Sequence, residues 1–304
     1  MNVIVYANYF DAKKIGGNKI DDLENYEKDL IDVLNWIIGK KEMKRKKDME
    51  NIHKIMYLGS YSYNPKQHVV YLEFVSARYN DVKKVIDTAT LSECKEKEKD
   101  PNQGDKEITC LVVKFSSKNK YDYNAKCYAQ NNHNGIGLNK MCDYLNEEIE
   151  KYHKNEKKDN VLYEIVYHSI ISNDFLIALE STKRIKSVRL IMSQEDLDSS
   201  STKRFSGNED LNNNIDIIYK PAKRGGSILK DTVKEFFDMY NDTSKKVRKI
   251  YVSSDDLDSN PLSFDTEKMK EKKVIDVVED GIRGGIIVDD LKRKMLQCIE
   301  KVTF

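Results

Sequence analysis

Basic side chains gather beside three predicted strands in the second half of the chain, where they could bind the phosphates of a nucleic acid. They form three groups, which are Lys183, Arg184, Lys186 and Arg189; Lys220, Lys223 and Arg224; and Lys245, Lys246, Arg248 and Lys249. Five of the nine arginines lie between positions 184 and 248. Because the guanidinium group is a planar fork that matches phosphate geometry, this concentration of arginine indicates phosphate binding more strongly than the lysine total does.

The second group has the features of a phosphate-binding turn. Residues 220–227, which we call the basic turn, read KPAKRGGS. The paired glycines allow close approach of the backbone to a ligand, and Ser227 is predicted to cap a following helix whose N-terminus attracts anions. Lys223, Arg224 and that helix start are therefore predicted to hold one phosphate together. The alternative is a solvated loop, since 34% of all residues are charged.

A second candidate chemistry is metal-dependent hydrolysis of nucleic acid. Asp87, Glu93 and Lys95 in DTATLSECK loosely fit the arrangement of nucleases in which two carboxylates hold a divalent ion and a lysine assists the attacking water. The alternative is a charged loop, because the KEKEKD that follows has no pattern. Asp255 and Asp256 could bind a metal, but a polar turn after a strand is the favoured interpretation.

Other motifs of enzyme chemistry are absent from the sequence. It contains no Walker loop, HExxH helix, GxSxG elbow or kinase signature. The five histidines have no ligand spacing, and the five cysteines include no CxxC pair, so neither a zinc site nor a disulfide framework is predicted. We therefore predict no catalytic residue, no metal site and no cofactor, and no small-molecule substrate is evident.

The elements that position these residues predict an α+β fold with antiparallel sheets and packed helices. Strand and helix patterns alternate irregularly along the 304 residues, which argues against a doubly wound sheet. The length allows two domains. The polar stretch at residues 151–160, KYHKNEKKDN, is predicted to link an N-terminal α+β domain (1–150) to a C-terminal α+β domain (161–304) that carries the basic groups.

Hydropathy indicates where the protein is located, whereas its total charge does not identify its ligand. No apolar stretch approaches the ~18–20 residues of a membrane helix. The first residues lack the charged and small-residue regions of a signal peptide, so a cytoplasmic protein is predicted. The balance of 52 basic and 51 acidic residues argues neither for nor against nucleic acid, because clustering of charge decides binding.

Seven stretches spread along the chain form a recognisable order. They are YANYF (6–10), the amphipathic helix at 30–38, IHKIMYLG (52–59), VVYLEFV (69–75), the turn and helix at 131–145, IDIIYKPAKRGGSILK (215–230) and the run from residue 250 through SFDTEKMKEKKV. In order and pattern they resemble the RexA exclusion proteins of lambdoid phages and related prophage-encoded defence proteins. The sequence departs from this family in the charged loop at 92–106 and in the basic run at 40–47.

The resemblance implies a homodimer that binds double-stranded DNA with little sequence preference and aborts phage infection. It also implies a fold similar to that of RdgC, a ring-shaped DNA-binding dimer. Within the family pattern, DNA binding maps to Lys220, Lys223 and Arg224, whereas the other basic groups are added on charge alone. The prediction is a sensor in an antiviral defence system, with a membrane or effector protein encoded next door as a further partner.

Two other functions stay open at this point. A metal-dependent nuclease or toxin effector predicts divalent-dependent cleavage that is lost in Glu93→Ala. A protein-binding subunit or antagonist within a defence system predicts no DNA affinity and a stable complex with the product of a neighbouring gene.

Overall fold

A computed structural model describes residues 1–14, 23–79, 103–116, 125–156, 163–193, 214–241, 247–280 and 285–300. Its helices are α1 (Leu23–Gly39), α2 (Glu42–Arg45), α3 (Leu138–Asn155), α4 (Asn173–Glu180), α5 (Lys230–Asn241), α6 (Thr266–Met269) and α7 (Val288–Glu300). Its strands are β1 (Asn2–Lys14), β2 (Lys47–Met49), β3 (Lys54–Asn64), β4 (Val69–Arg78), β5 (Lys106–Phe115), β6 (Ala125–Gln130), β7 (Tyr163–Ser169), β8 (Arg184–Ser193), β9 (Asn214–Tyr219), β10 (Val247–Asp255), β11 (Pro261–Asp265), β12 (Lys272–Asp276), β13 (Glu279–Asp280) and β14 (Gly285–Ile286). The predicted α+β class is confirmed. None of these helices is both long enough and apolar enough to cross a membrane.

The chain divides into two compact units whose boundaries differ from the predicted domains. Unit 1 comprises Met1–Tyr167 and Lys273–Phe304, and unit 2 comprises His168–Lys272. The C-terminal segment belongs to unit 1 because α7 packs on β5 and β6, where its Leu291 and Met295 are fully buried. A predicted C-terminal domain at 161–304 is therefore wrong in its last part, since sequence order does not reveal that a final helix returns to the first sheet.

The predicted linker at residues 151–160 is wrong over its first half, because α3 continues to Asn155. Residues 157–160 lie outside the described residues. Tyr152 and His153 are buried on this helix. His153 Nε2 lies 2.8 Å from Asp29 Oδ2 on α1, and the Tyr152 ring meets Trp36 edge to face. Residues 151–155 read as polar in the sequence because Lys151 and Lys154 occupy the exposed side of the same amphipathic helix.

Unit 1 is built on one large sheet covered on both faces. The strand order is β12-β1-β6-β5-β4-β3-β2, and β7 pairs with β1. Both faces of β4 are buried, which explains why its run VVYLEFV is apolar except at Glu73. Val70, Leu72 and Phe74 pack into the core that includes α1 and α3. Tyr71 points the other way, with the Lys292 ammonium of α7 4.6 Å from its ring centroid.

Unit 2 is built on a four-stranded sheet with the strand order β11-β10-β8-β9. Its ladders β8/β9, β8/β10 and β10/β11 are antiparallel. One face forms a core with α4, α5 and α6, to which alternate strand residues such as Val188, Leu190, Ile250 and Val252 contribute. The residues between them point to a second face that is only partly buried, as expected for an antiparallel sheet packed on one side.

Candidate nucleic-acid interface

The basic turn leaves the end of β9 and has a defined backbone conformation. β9 ends at Tyr219, and Lys220 is the next residue. The amide of Gly226 donates to the carbonyl of Lys223 at 3.0 Å and closes the turn. Gly225 has a φ of +80°, a conformation that residues with a side chain rarely adopt. The paired glycines therefore shape the turn.

The three cations of the basic turn keep their charge available. Lys220, Lys223 and Arg224 are all exposed. Among the residues that the structure describes, no carboxylate pairs with any of the three. An anion that approaches this turn therefore meets three ammonium and guanidinium groups without having to displace a competing ion pair.

The predicted role of Ser227 is wrong. The helix that follows, α5, begins only at Lys230, so Ser227 does not cap it. The Ser227 hydroxyl instead accepts a hydrogen bond of 2.9 Å from the amide of Ile185, at the start of β8. The next residue continues this contact, because the amide of Ile228 donates to the carbonyl of Ile185 at 3.1 Å. Ser227 therefore anchors the basic turn to the sheet instead of capping a helix.

This anchor predicts a loss of stability rather than a loss of affinity. In Ser227→Ala, the amide of Ile185 loses its acceptor, and Ile185 itself is buried. We expect the free energy of unfolding to fall by about 1–2 kcal/mol, measured by urea denaturation. Ser263→Ala, at an exposed position on β11, is the control and should stay near the wild-type value. A variant with wild-type stability but weakened binding to a DNA duplex would make Ser227 a phosphate ligand after all.

Three residues of the first basic group form ion pairs with two carboxylates of unit 2. Arg184 Nη2 lies 3.2 Å from Asp255 Oδ2, and Lys186 Nζ lies 2.5 Å from Asp255 Oδ1. The Lys186 ammonium, followed by the Arg184 guanidinium, holds the pKa of the Asp255 carboxyl below its ordinary value. The register of β8 against β10 places Asp255 directly opposite Arg184, so this pairing is a property of the sheet. Arg184 and Lys186 therefore share one carboxylate, and a phosphate that binds at these residues has to compete with Asp255.

The other two members of this group differ from each other. The Arg189 guanidinium forms an ion pair with Asp216 on the neighbouring strand β9. Lys183 is exposed, and its ammonium donates at 3.0 Å to the neutral hydroxyl of Ser259. Of the predicted first group, only Lys183 thus has no carboxylate partner among the described residues.

The third basic group is described only in part. Lys245 and Lys246 lie outside the described residues. Arg248 is exposed at an irregularity of β10, between the register pairs of Val247 and Lys249. Lys249 is exposed as well, and no carboxylate of the described residues pairs with it.

The partly exposed face of the unit 2 sheet contains residues that were not among the predicted site residues. The register places Ile218, Arg189 and Tyr251 side by side on β9, β8 and β10. The signal for them was present in the sequence. In the β10 sequence VRKIYVSSD, Ile250 and Val252 read as inward, so Lys249 and Tyr251 must point outward.

The candidate metal chemistry receives no support from the described residues. Asp87, Glu93 and Lys95 lie outside them. Within them, no three histidine, cysteine or acidic side chains are grouped closely enough to hold an ion. Asp255 is engaged by its two cations, and the carboxylate of Asp256 accepts hydrogen bonds from the backbone and side chain of Asn260, as expected for a polar turn.

Comparison with known proteins gives no independent assignment. No protein-family model and no curated protein matches the chain. The resemblance to the RexA family therefore stays a prediction, and the proposed function rests on the geometry of unit 2.

Proposed function

We propose that the protein binds double-stranded DNA through its phosphate backbone, with little preference for sequence. The observation that carries the proposal is the basic turn, in which Lys220, Lys223 and Arg224 extend from the end of a strand without an acidic partner among the described residues. Contacts to phosphates fix the position of a protein on a duplex but do not read bases. A turn of this kind therefore supports binding to any duplex, driven by release of counterions.

The biological setting of the proposal comes from the resemblance to the RexA family. We propose a cytoplasmic homodimer that acts as a sensor in a phage-defence system. In a homodimer, two copies of the basic turn would be available to one duplex, which would strengthen binding without any new type of contact.

The proposal predicts that two side chains of the basic turn dominate the affinity for duplexes. In the double variant Lys223→Ala with Arg224→Ala, we expect the affinity to fall about tenfold, equally for duplexes of unrelated sequence. A gel-shift titration at low salt measures this. The matched control is Lys41→Ala with Lys44→Ala, which removes the same net charge from exposed positions in and beside α2.

The same titration separates the proposal from its alternatives. If the wild-type protein binds no duplex even at low salt, the proposal fails. Equal losses in the double variant and its matched control would move the binding site away from the basic turn. Divalent-dependent cleavage that disappears in Glu93→Ala would identify a nuclease instead. A stable complex with a neighbouring gene product, without affinity for DNA, would identify a protein-binding subunit.

A further inference from the structure

The partly exposed face of the unit 2 sheet, which we call the open face, is arranged in rows. One row consists of Ile218, Arg189, Tyr251 and Asp265, and the next consists of Ser187, Ser253 and Ser263. Adjacent residues in a row lie on neighbouring strands, about 4.8 Å apart. The serine row has little bulk, so the Tyr251 ring stands beside a shallow trough that runs across three strands.

From this arrangement we propose that the open face binds an unpaired strand of DNA, with a base stacked on Tyr251. The proposal deepens the proposed duplex binding and rests on it for the identity of the ligand. It adds a second kind of contact, to base faces, which the basic turn cannot supply. Bases within a duplex stack on each other, so only an unpaired base can offer its face to a side chain.

The geometry around Tyr251 suits a stacked base. Tyr251 is partly exposed, and the Arg189 guanidinium carbon lies 5.7 Å from its ring centroid. An aromatic ring and a guanidinium plane are the two side-chain groups on which unpaired bases commonly stack. Arg189 also forms an ion pair with Asp216 on the neighbouring strand, which favours the position of its guanidinium beside the Tyr251 ring.

The charge of the open face favours a polyanion over a protein surface. The Asp216 carboxylate is compensated by Arg189. The Asp265 carboxylate caps α6, where it accepts from the amide of Lys268 at 3.0 Å. Lys249 on the face and Lys220 at its edge have no carboxylate partner among the described residues. The net positive charge that remains is complementary to a phosphate backbone.

The basic turn lies next to the open face, so we assign the unpaired strand to the same DNA as the duplex that the turn binds. Lys220 directly follows β9, the edge strand that contributes Ile218 to the open face. A duplex held by the basic turn thus ends its contact where the open face begins. An unpaired strand that continues from the same duplex would reach Tyr251 across the width of two strands, a distance of about 10 Å. The natural ligand of both surfaces together is a junction between double-stranded and single-stranded DNA.

The proposal is tested by the gain in affinity that an unpaired tail provides. Fluorescence anisotropy compares a blunt duplex with the same duplex carrying a tail of about ten thymidines, a length within the range of single-strand binding sites. We expect the tail to raise the affinity of the wild-type protein about fivefold or more. Tyr251→Leu should abolish this gain and leave binding to the blunt duplex unchanged. Tyr57→Leu is the matched control, because Tyr57 also has an arginine, Arg45, near its ring, but on unit 1.

A second variant distinguishes a loss of base stacking from a folding defect in Tyr251→Leu. Ser253→Asp places a carboxylate on the open face, at a position away from the core, and should also remove the gain from the tail. A tail that adds nothing, or a gain that survives both variants, overturns the proposal while duplex binding stands. A larger gain from a uridine tail of RNA overturns the choice of DNA. A homodimer that Tyr251→Leu dissociates, with no effect of the tail, would make the open face a protein interface instead.

Discussion

Raising the salt concentration from about 50 mM to about 200 mM should weaken binding to a duplex about 40-fold or more. Each phosphate neutralised by a lysine or arginine contributes about −0.9 to the slope of log affinity against log salt. The three cations of the basic turn therefore predict a slope of about −2.7, which corresponds to that loss over an approximately fourfold change in salt. A homodimer that places both turns on one duplex predicts a slope of about −5.4.

This slope is a sharper test than affinity alone, because it counts phosphate contacts. Anisotropy titrations at several salt concentrations, on two duplexes of unrelated sequence, should give the same slope for both. In the triple variant Lys220→Ala, Lys223→Ala and Arg224→Ala, the slope should become shallower by about 2.7 for each turn that contacts the duplex. Lys41→Ala with Lys44→Ala should keep the wild-type slope. A slope that the triple variant does not change would show that other cations carry the contacts.

The secondary structure of this chain follows closely from local sequence patterns. The β-rich pattern AKCYAQ predicts a short strand at 125–130, and β6 spans Ala125–Gln130. Apolar residues at helical spacing after Asp21 predict a helix that stops at Gly39, and α1 ends at Gly39. Such elements are predictable because their signals are periodic and lie within a few residues of one another. The exposed character of Lys249 and Tyr251 was predictable for the same reason, since alternation along a strand assigns each residue to a face.

The partners of charged residues were not predictable, because they are set by tertiary structure. In the basic run at 40–47, the Lys40 ammonium lies 2.5 Å from the buried Glu148 carboxylate, and Lys47 pairs with Glu147, both acids being on α3. The run therefore holds two parts of unit 1 together and is a poor candidate for binding nucleic acid. Arg184 and Lys186 are likewise paired with Asp255, which the register of β8 against β10 places opposite Arg184.

The basic turn keeps its charges for a reason that also lies in the fold. A residue within a sheet has neighbours on adjacent strands, and these neighbours supply the two carboxylates that pair with Arg184, Lys186 and Arg189. Lys220 comes after the last residue of an edge strand, and Lys223 and Arg224 lie farther along the turn, so the ladder of β8 and β9 supplies no opposite neighbour for them. Position at the end of an edge strand thus distinguishes the candidate site from equally basic stretches elsewhere.

Phe74→Ala should lower the stability of unit 1 by about 3–5 kcal/mol, the largest change in stability that we expect from a single substitution in the chain. Phe74 is fully buried in the sheet, and its ring meets Tyr144 edge to face at a centroid distance of 5.9 Å. Truncation removes both the apolar burial and this contact, and it leaves a cavity that a β-sheet core closes poorly. Phe74→Leu keeps most of the volume and should cost less than about 1.5 kcal/mol.

Phe74→Ala also tests the division of the chain into two units. The boundaries of these units differ from the domain boundaries predicted from the sequence. Because α7 packs on β5 and β6, hydrogen exchange in α7 should accelerate in Phe74→Ala together with exchange in β4. Phe237→Ala, in the separate core of unit 2, should instead accelerate exchange in β8. If α7 responded to Phe237→Ala and not to Phe74→Ala, the last helix would belong with residues 168–272, as the predicted domain at 161–304 requires. The strong amphipathicity of α7 fits either sheet, so only its buried contacts decide which unit it completes.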